Sequence, residues 1–340
     1  MDALSDVLRV VRLDGGVFLR AEFTAPWCIR SQVAASDCAP LLTDVDRLIL
    51  YHYAVEGRCA FAVAGQPPME IGPGDAVIFP RNDPHIMGSD LSLDPVDSHS
   101  ILKPSSSGNL AYINHGGGGA MTRIVCGFLG YRRVEGNPLI DALPPVLHLD
   151  TRESSAAAWI QSSFQYAADE IALGRAGTDS VLAKISELLF IEAIRRYIDS
   201  LPAAERGWLA GCRDPFVARA LAQLHAAVGE IWTLDRLARQ VGLSRSALCN
   251  RFTALVGEPP MHYLTRWRLH VAAQRLRSTR SPLVSIAQEV GFETEEAFNR
   301  AFKRRYGKPP ATWRNHLTGQ STAMMLNIGL LAAGLPDVPL

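Results

Sequence analysis

The sequence predicts a multidomain α+β protein with an N-terminal β-barrel, a helical hairpin and a C-terminal domain made only of helices. Three observations support this prediction. Short apolar runs separated by turn-forming residues fill the first 150 positions, amphipathic segments follow to about residue 201, and a repeat occupies the last third. A chain of 340 residues is long enough for two domains that each bury a core of their own.

The first part of the chain, residues 1–150, has the pattern of a β domain. Its apolar, β-branched and aromatic runs are short, and Gly, Pro, Asp and Asn lie between them, as is typical of a sandwich or small barrel. The runs are 47–55, 59–64, 76–80 and 122–128. The stretch 91–109 is rich in Ser, Pro and Asp and predicts a mobile loop, and His115 with its four following glycines predicts a flexible turn.

A helical segment, residues 151–212, follows the β domain. One helix is expected to begin at Ser154 and to end by Gly174 or Gly177, and a second is expected over 179–198. The apolar residues of the second helix recur mostly at steps of three and four, so one of its faces is apolar. Such a hairpin either adds to a core or pairs with a second subunit, and a homodimer is our expectation.

Residues 213–317 contain an internal repeat. The run Leu-Ala-Arg-Gln-Val-Gly-Leu at 237–243 resembles Ile-Ala-Gln-Glu-Val-Gly-Phe at 286–292. Further on, Phe252 followed by Gly-Glu-Pro-Pro at 257–260 resembles Phe302 followed by Gly-Lys-Pro-Pro at 307–310. Two copies of one supersecondary unit are therefore present.

Helix-capping residues predict that the first copy is a helix-turn-helix. Thr233 is expected to cap a helix over 234–241, Gly242 to end it, and Ser244 to cap the next helix. That second helix buries Leu248, Phe252 and Leu255 and leaves a polar face exposed. The second helix of such a unit is the one that enters the major groove of DNA.

The second copy shows the same pattern. Ser281 is expected to be the N-cap, Pro282 the first helical residue, and Gly291 the end of a helix over 283–290. The following helix is expected to bury Phe298, Ala301 and Phe302 and to expose its polar residues, including Asn299. It is expected to end at Gly307. Residues 318–340 form a separate C-terminal tail.

A helix of about 18 residues, 261–278, is predicted between the two copies. At about 1.5 Å per residue it would span roughly 27 Å. Successive major-groove faces of B-DNA on one side lie about 34 Å apart. A stiff helix of this length would suit two recognition helices placed in adjacent major grooves.

The charge is distributed unevenly along the chain. From residue 213 to 317 there are 17 Lys and Arg against 8 Asp and Glu, and because the whole chain has 34 of each, the rest carries an equal acidic excess. A basic surplus confined to one domain indicates a polyanionic partner.

The remaining composition predicts a protein of a reducing cytoplasm rather than a membrane or secreted protein. The acidic start lacks the features of a secretory signal, and no run of about 18 apolar residues exists. The six cysteines are scattered, without a CxxC pair, as in a chain with free thiols in a reducing compartment.

The repeat resembles the AraC/XylS family of bacterial transcription regulators. The resemblance is carried by Ile286-Ala-x-x-x-Gly-Phe, Phe298-x-Arg-x-Phe-Lys and Gly307-x-Pro-Pro, with Trp313-Arg314 after it. It implies a DNA-binding transcription regulator, usually an activator. The partners it implies are double-stranded promoter DNA, RNA polymerase and a small-molecule effector.

The resemblance also implies which residues face DNA. The expected base contacts are Ser246 and Asn250 on the first recognition helix and Glu295, Glu296, Asn299 and Arg300 on the second. The expected phosphate contacts, which give affinity without sequence choice, are Arg245, Arg251, Lys303, Arg304 and Arg305.

Residues 69–85 resemble the second motif of cupin barrels, which implies a cupin-like sensor domain. Metal-binding cupins supply several His and one Glu, but only His52 and His85 are plausible here, so no metal is predicted and the two histidines are instead candidates for an effector pocket. The pattern gives no catalytic residue and calls for no cofactor. A cupin-type enzyme fused to a DNA-binding domain is the alternative.

The cysteines allow a second kind of signal. Cys28 and Cys38 are close in sequence and Cys28 lies near Arg30, so they are candidate redox thiols. Three hypotheses therefore stay open: a ligand-responsive regulator, a thiol-based redox regulator, and a cupin enzyme that also binds DNA.

Overall fold

The computed structural model describes residues 2–11, 13–33, 45, 47–103, 112–132, 137–150, 159–160, 162–163, 166 and 177–315. The chain divides into two compact units. We call Val11–Arg133 with Ala142–Ala203 the β unit, and Met1–Val10 with Val134–Asp141 and Ala204–Leu340 the helical unit. Within the described ranges, no helix is both long and apolar enough to cross a membrane.

The β unit is built from two sheets. One has the strand order β12-β6-β3-β11-β1-β10-β9 and the other the order β5-β4-β7-β2-β8. Most neighbours are antiparallel, whereas β1 with β10 and β2 with β8 are parallel. The strands are β1 Leu13–Thr24, β2 Cys28–Ser31, β3 Arg47–Glu56, β4 Cys59–Val63, β5 Met69–Ile71, β6 Asp75–Phe79, β7 His85–Gly88, β8 Val96–Asp97, β9 Leu102–Lys103, β10 Tyr112–Gly116, β11 Met121–Tyr131 and β12 Leu147–Asp150.

The core of the β unit is one apolar cluster drawn from both sheets. Phe23, Trp27, Phe61, Phe79 and Met87 are among its members, and each is at most 3% exposed. The rings of Phe23 and Trp27 stack at 4.0 Å, which ties β1 to the start of β2. The predicted sandwich or barrel is therefore confirmed, and a cupin-like domain is the fold of this unit.

The four strands predicted here are confirmed, each with an end shifted by one to three residues. One other prediction, the loop over 91–109, is wrong in part. Residues 96–103 form β8, a helical turn α2 (Ser98–Ile101) and β9 rather than a loop, with Asp97 accepting a hydrogen bond from the His99 N–H; residues 104–109 lie outside the described ranges. The glycines after His115 form the bend between β10 and β11, as predicted, and Gly117 and Gly119 donate to the carbonyl oxygens of Thr24 and Ala25 at 2.8 Å.

The second helix of the predicted hairpin is confirmed as α3, Thr178–Ser200. It packs against β1, β11 and β12, and Arg196 donates to the Asp150 carbonyl oxygen at 2.9 Å. The β unit therefore extends beyond its strands to residue 203. Most of the helix expected from Ser154 lies outside the described ranges, although residues 159–160, 162–163 and 166 are helical.

The helical unit contains the repeat. Its helices are α1 Ala3–Val11, α4 Trp208–Arg213, α5 Pro215–Ala226, α6 Leu234–Val241, α7 Arg245–Val256, α8 Pro260–Ser278, α9 Leu283–Glu289 and α10 Glu295–Tyr306, and residues 310–315 are also helical. Of α1, all residues but the last, Val11, belong to this unit. The N-terminal helix α1 thus belongs with the C-terminal part of the chain. Asp2, just before it, lies close enough to Cys212 to affect that thiol.

Local capping chemistry fixes the first copy as predicted. Thr233 accepts a hydrogen bond from the Arg236 N–H, and Ser244 accepts one from the Ala247 N–H. Gly242 ends α6 with φ at 80°, a left-handed conformation that glycine adopts without strain. The helices over 234–241 and after Ser244 are confirmed.

The second copy differs by one residue at each end of its first helix. Pro282 is the N-cap of α9, not the first helical residue, and the Ser281 carbonyl accepts a hydrogen bond from Arg314. The helix ends at Glu289, and Val290 is its C-cap. The Val290 N–H still bonds to the Ile286 carbonyl oxygen at 3.1 Å, but its φ of −94° and ψ of 8° lie outside the helical region.

Candidate nucleic-acid interface

The first recognition helix, α7, presents the polar face that the sequence predicts. Leu248 and Phe252 are fully buried, Leu255 is half-buried, and Ser246 and Asn250 are exposed. The two exposed residues are four positions apart and therefore lie on one face of the helix. Cys249, beside them, is half-buried.

The two arginines of α7 already have partners. Arg245 forms a long, exposed ion pair with Asp235 at 3.8 Å, which solvent weakens. Arg251 donates from Nε to Asp214 at 2.7 Å, and Asp214 also caps α5 by accepting from the Phe216 and Val217 N–H groups. A phosphate contact by Arg251 would require this pair to open or to be shared.

The pKa of Asp214 reflects those contacts. Partial burial of the carboxyl group raises its pKa, but the hydrogen bonds from Arg251 and from the two N–H groups outweigh burial and leave the pKa below its usual value. Asp214 is therefore a charged anchor between α5 and α7 at neutral pH.

The second recognition helix, α10, carries charge of both signs. Thr294 caps it by accepting from the Ala297 N–H, acidic residues occupy its first turn and basic residues its last turn, which suits the helix dipole. Its exposed side chains are Glu296, Arg300, Lys303, Arg304 and Arg305.

Two of the predicted base contacts on α10 are less accessible than expected. Glu295 and Asn299 are half-buried, and the Asn299 side-chain oxygen is buried without a hydrogen-bond partner within the described ranges. The expectation that Asn299 is exposed is wrong, because Asn299 lies three positions before buried Phe302 and therefore beside the apolar face of α10. Bidentate recognition of adenine needs both ends of an asparagine amide. Asn299 would have to move to make such a contact.

The helix between the two copies is confirmed as α8, with 19 residues. At about 1.5 Å per residue its length is about 28 Å. Its buried side chains contact both copies, since α8 packs on α7, on α9 and on α10. Leu269, Leu276 and Phe302 share one apolar cluster, which anchors the second copy to α8.

A buried stack of aromatic and histidine rings holds the first copy against α8. The hydroxyl group of Tyr263 accepts a hydrogen bond from Trp208 Nε1 at 2.8 Å and lies 2.7 Å from His225 Nε2. The His225 ring stacks on Trp267 at 4.1 Å, and burial lowers the pKa of His225 to about 3. Sequence reasoning did not find this stack, because its members come from three different helices.

In the β unit, His52 and His85 lie inside the core. They are 3% and 2% exposed, and their Nε2 atoms are 2.9 Å apart. His52 Nδ1 lies 2.9 Å from Cys126 Sγ, and His85 Nδ1 lies 3.1 Å from the Asp83 carbonyl oxygen. The sequence placed the two histidines in an effector pocket, and the structure brings them together as members of a packed core.

The hydrogen bonds that link Cys126, His52 and His85 have a defined direction. A carbonyl oxygen only accepts, so His85 donates from Nδ1 to Asp83 and accepts at Nε2. His52 must then donate from Nε2, which leaves its Nδ1 to accept from the Cys126 thiol. We call this the Cys126–His52–His85 chain, and all its members are neutral.

The pKa values agree with that assignment. Burial lowers the pKa of His52 well below its usual value, and His85 adds to the effect. Burial lowers the pKa of His85 to about 4, and burial raises the pKa of Cys126. Within the described ranges, no three His, Cys, Asp or Glu side chains are grouped as ligands of one metal ion.

Of the two candidate redox thiols, the structure describes Cys28 but not Cys38. Cys28 is buried, and burial, followed by the charge of Asp90, raises the pKa of its thiol. Reactive cysteines need the opposite shift, so this environment disfavours the thiolate. Cys38 lies outside the described ranges.

An apolar cleft of about 530 Å³ lies beside α3. Trp159, Tyr166 and Leu188 line it and are each 45–47% exposed, which is unusual for side chains of this size. Ser162, Ser163, Ser180 and Lys184 supply its polar rim.

A double helix-turn-helix with exposed polar recognition helices, joined to a cupin-like domain, is the architecture of a DNA-binding transcription regulator. Two family models match the chain: "Cupin" over residues 2–199 and "Helix-turn-helix domain" over residues 237–316. The chain belongs to the AraC-like transcription regulators.

Curated relatives share nearly the whole length of the chain. An AraC-like transcription regulator of Streptomyces lividans is 31% identical over 94% of this chain and 99% of its own. The HTH-type transcriptional regulator AlkR of Acinetobacter baylyi is 27% identical over 92% and 99%. Among solved structures, the DNA-binding domain of AdpA in complex with a target DNA is 26% identical over 32% of this chain and 96% of that chain, with a TM-score of 0.31.

Proposed function

We propose that this regulator reads promoter DNA with the exposed faces of α7 and α10, one in each of two successive major grooves, and that it activates transcription in response to a small molecule. The observation that carries the proposal is the pair of polar, capped recognition helices packed against the single 19-residue helix α8. Its partners are then promoter DNA and RNA polymerase, and its place is the cytoplasm.

The proposed division of labour within the interface follows from exposure and charge. Ser246, Asn250 and Arg300 are exposed and suit base contacts, with Glu295, Glu296 and Asn299 as further candidates. Arg245, Lys303, Arg304 and Arg305 suit phosphate contacts, and Arg251 joins them when its pair with Asp214 opens.

The test is selection of DNA by the purified full-length chain from a pool of randomised duplexes, followed by footprinting. We expect a bipartite site in which two protected segments lie about 10–10.5 base pairs apart, with affinity that falls steeply as salt rises. Binding that is equally strong on every sequence would contradict base recognition by these helices.

We propose a small-molecule signal in preference to oxidation of thiols. The pKa of the Cys28 thiol is raised, and burial raises the pKa of Cys59 to about 12. Of the two candidate redox thiols, Cys38 is then the one on which the redox hypothesis depends, and oxidation of half-buried Cys249 on α7 is a separate possibility. If a promoter that the chain activates responds to hydrogen peroxide in the wild type but not in the Cys28→Ala/Cys38→Ala variant, oxidation is the signal and the proposal is wrong.

We propose that the chain works as a regulator without enzymatic activity and as a homodimer. Its curated relatives are named as regulators, which supports the first point over a cupin-type enzyme. The exposed apolar cleft beside α3 supports the second. Leu188→Glu should lower the sedimentation coefficient to that of a monomer, whereas Leu102→Glu, at another exposed apolar residue of the β unit, should not. Equal behaviour of the two variants would contradict dimerisation through this cleft.

A further inference from the structure

We infer that Arg268 and Gly229 are positioning residues that fix the orientation of the two recognition helices relative to each other, and thereby the half-site spacing that one chain accepts. The inference rests on the proposed function, because it assumes that α7 and α10 both read DNA. The two copies of the repeat are then linked in two ways, through α8 and through a direct contact between the α5–α6 loop and the end of α9.

Arg268 lies on α8 and binds the loop that leads into the first copy. Its Nε donates to the Val228 carbonyl oxygen at 2.9 Å, and its terminal nitrogen donates to the Glu230 carbonyl oxygen at 2.6 Å. The guanidinium group therefore holds both residues that flank Gly229. This loop continues directly into Thr233, the cap of α6.

The same loop presses against the second copy. A methyl group added at Gly229 would lie 2.5 Å from the Glu289 carbonyl oxygen, at the end of α9. A methyl group at Gly291, which follows α9 with φ at 83°, would lie 2.5 Å from the Arg268 guanidinium group and 2.9 Å from the Gly229 carbonyl oxygen. The backbones of the two copies thus meet at Gly229 and Gly291, with Arg268 between them.

The chemistry of this contact requires arginine. Two carbonyl oxygens on opposite sides of one glycine are bound by two nitrogens of a planar guanidinium group, a geometry that a single ammonium group does not reproduce. The group is about half-buried, and burial lowers its pKa, but an arginine keeps its charge at neutral pH. Its hydrogen bonds are therefore charge-assisted and partly shielded from solvent.

The contact has a direct geometric consequence. The helix α8 fixes the distance between the two copies, and each copy packs on it separately. The contact from the α5–α6 loop to the end of α9 joins the two copies directly and restrains their rotation relative to each other about α8. One base pair turns the DNA by about 34–36°, so loss of the contact should broaden the range of half-site spacings that the protein accepts.

The experiment uses the full-length chain and the bipartite site that the wild type selects from random DNA. Affinity is measured for that site, for versions with one base pair added or removed between the half-sites, and for a single half-site. The variants are Arg268→Lys, Gly229→Ala and the control Arg266→Lys. Arg266 lies on the same helix but binds Glu258, which belongs to the first copy, at 2.8 Å.

We expect Arg268→Lys and Gly229→Ala to bind the selected site about tenfold more weakly, as follows if the orientation that fits the site is populated about one tenth of the time. Both variants should also lose most of their preference for its spacing. Single half-site affinity should stay at the wild-type value, and Arg266→Lys should keep the spacing preference. Circular dichroism and the unfolding midpoint check that each variant is folded, and Gly229→Ala keeps the test open if Arg268→Lys does not fold.

A wild-type spacing preference in both folded variants would overturn the inference, and so would an equal loss of affinity on the single half-site. A wild-type chain that selects no bipartite site would instead contradict the proposed function, so the two failures are distinguishable.

Discussion

The hydroxyl groups of Tyr51 and Ser186 lie 2.8 Å apart, in the buried contact between β3 and α3. Ser186 donates to the Leu182 carbonyl oxygen, so the Tyr51 hydroxyl donates to Ser186. Tyr51 reaches α3 by passing over Gly127 of β11, its register partner. His52 is the neighbour of Tyr51 on the same strand, and its side chain lies on the opposite face, in the core.

Gly127→Ala should destabilise the β unit by about 1–3 kcal/mol, the usual cost of overfilling a packed core. The added methyl group would lie 2.1 Å from the Tyr51 hydroxyl oxygen and 2.6 Å from a ring carbon, so the tyrosine must leave its position. Urea titration measures the free energy of unfolding. Gly72→Ala is the matched control, because its nearest neighbour would be the Arg58 side chain at 3.4 Å. If Gly127→Ala is as stable as Gly72→Ala, Tyr51 is not packed over Gly127.

Arg300→Ala should weaken binding to the selected DNA site by about 1–3 kcal/mol and weaken binding to random DNA much less, because a base contact carries sequence choice. Lys303→Ala, on the same helix, should weaken binding to the selected site and to random DNA to a similar extent. It should also reduce the slope of log affinity against log salt concentration by about one. Fluorescence anisotropy at several salt concentrations separates the two effects. Equal losses for Arg300→Ala on both DNAs would make Arg300 a phosphate contact.

The stability of the protein should fall as the pH is lowered below about 6.5. The pKa of His85 in the folded chain is lowered to about 4 and that of His225 to about 3, both chiefly by burial, against a usual value of 6.5. The unfolded chain therefore binds protons first, and the stabilisation present above pH 6.5 is lost between pH 6.5 and these lower values.

Urea titrations followed by tryptophan fluorescence at pH 7.5, 6.0 and 5.0 measure this loss. Each buried histidine costs up to about 1.4 kcal/mol per pH unit in that range. His225→Gln should make the pH dependence shallower, and His262→Gln, at an exposed position on α8, is the control substitution. An unchanged slope in His225→Gln would show that this histidine does not contribute.

Cys126→Ala should destabilise the β unit more than Cys126→Ser does, by about 1 kcal/mol, because alanine leaves buried His52 Nδ1 without a donor and serine keeps an O–H group there. Cys59 is the control, since burial alone raises the pKa of its thiol, and there serine should be the less stable replacement. The same order of stability at both positions would argue against a hydrogen bond from Cys126 to His52.

The repeat was predictable from sequence almost residue by residue because its signals are local. Thr233, Gly242 and Ser244 each act on a backbone within three or four positions, so their chemistry can be read directly from the chain. At the start of α9 the cap is Pro282 rather than Ser281, and the Ser281 carbonyl oxygen accepts from Arg314, 33 residues away, a contact that local spacing does not reveal.

The β unit was less predictable because its partners are distant in sequence. Strand β1 was missed, as Gly15 and Gly16 interrupt its apolar pattern and the strand bulges there. The contact between His52 and Cys126 joins residues 74 positions apart and depends on the register of β3 and β11. Helical spacing alone predicts that Asn299 is exposed. It does not show that the side-chain oxygen of Asn299 is buried.

The helix α1 begins the chain, yet it belongs to the unit that the last third of the chain builds. Val7 is fully buried, and the Cys212 thiol has its pKa raised to about 12 by burial first and by nearby Asp2 second. In the order of the chain, the β unit is therefore inserted between α1 and the remaining helices of the helical unit. A fragment that starts at residue 204 would lack α1 and would expose the apolar surface that Val7 covers. A helical unit without the β unit therefore needs a new link from α1 to α4.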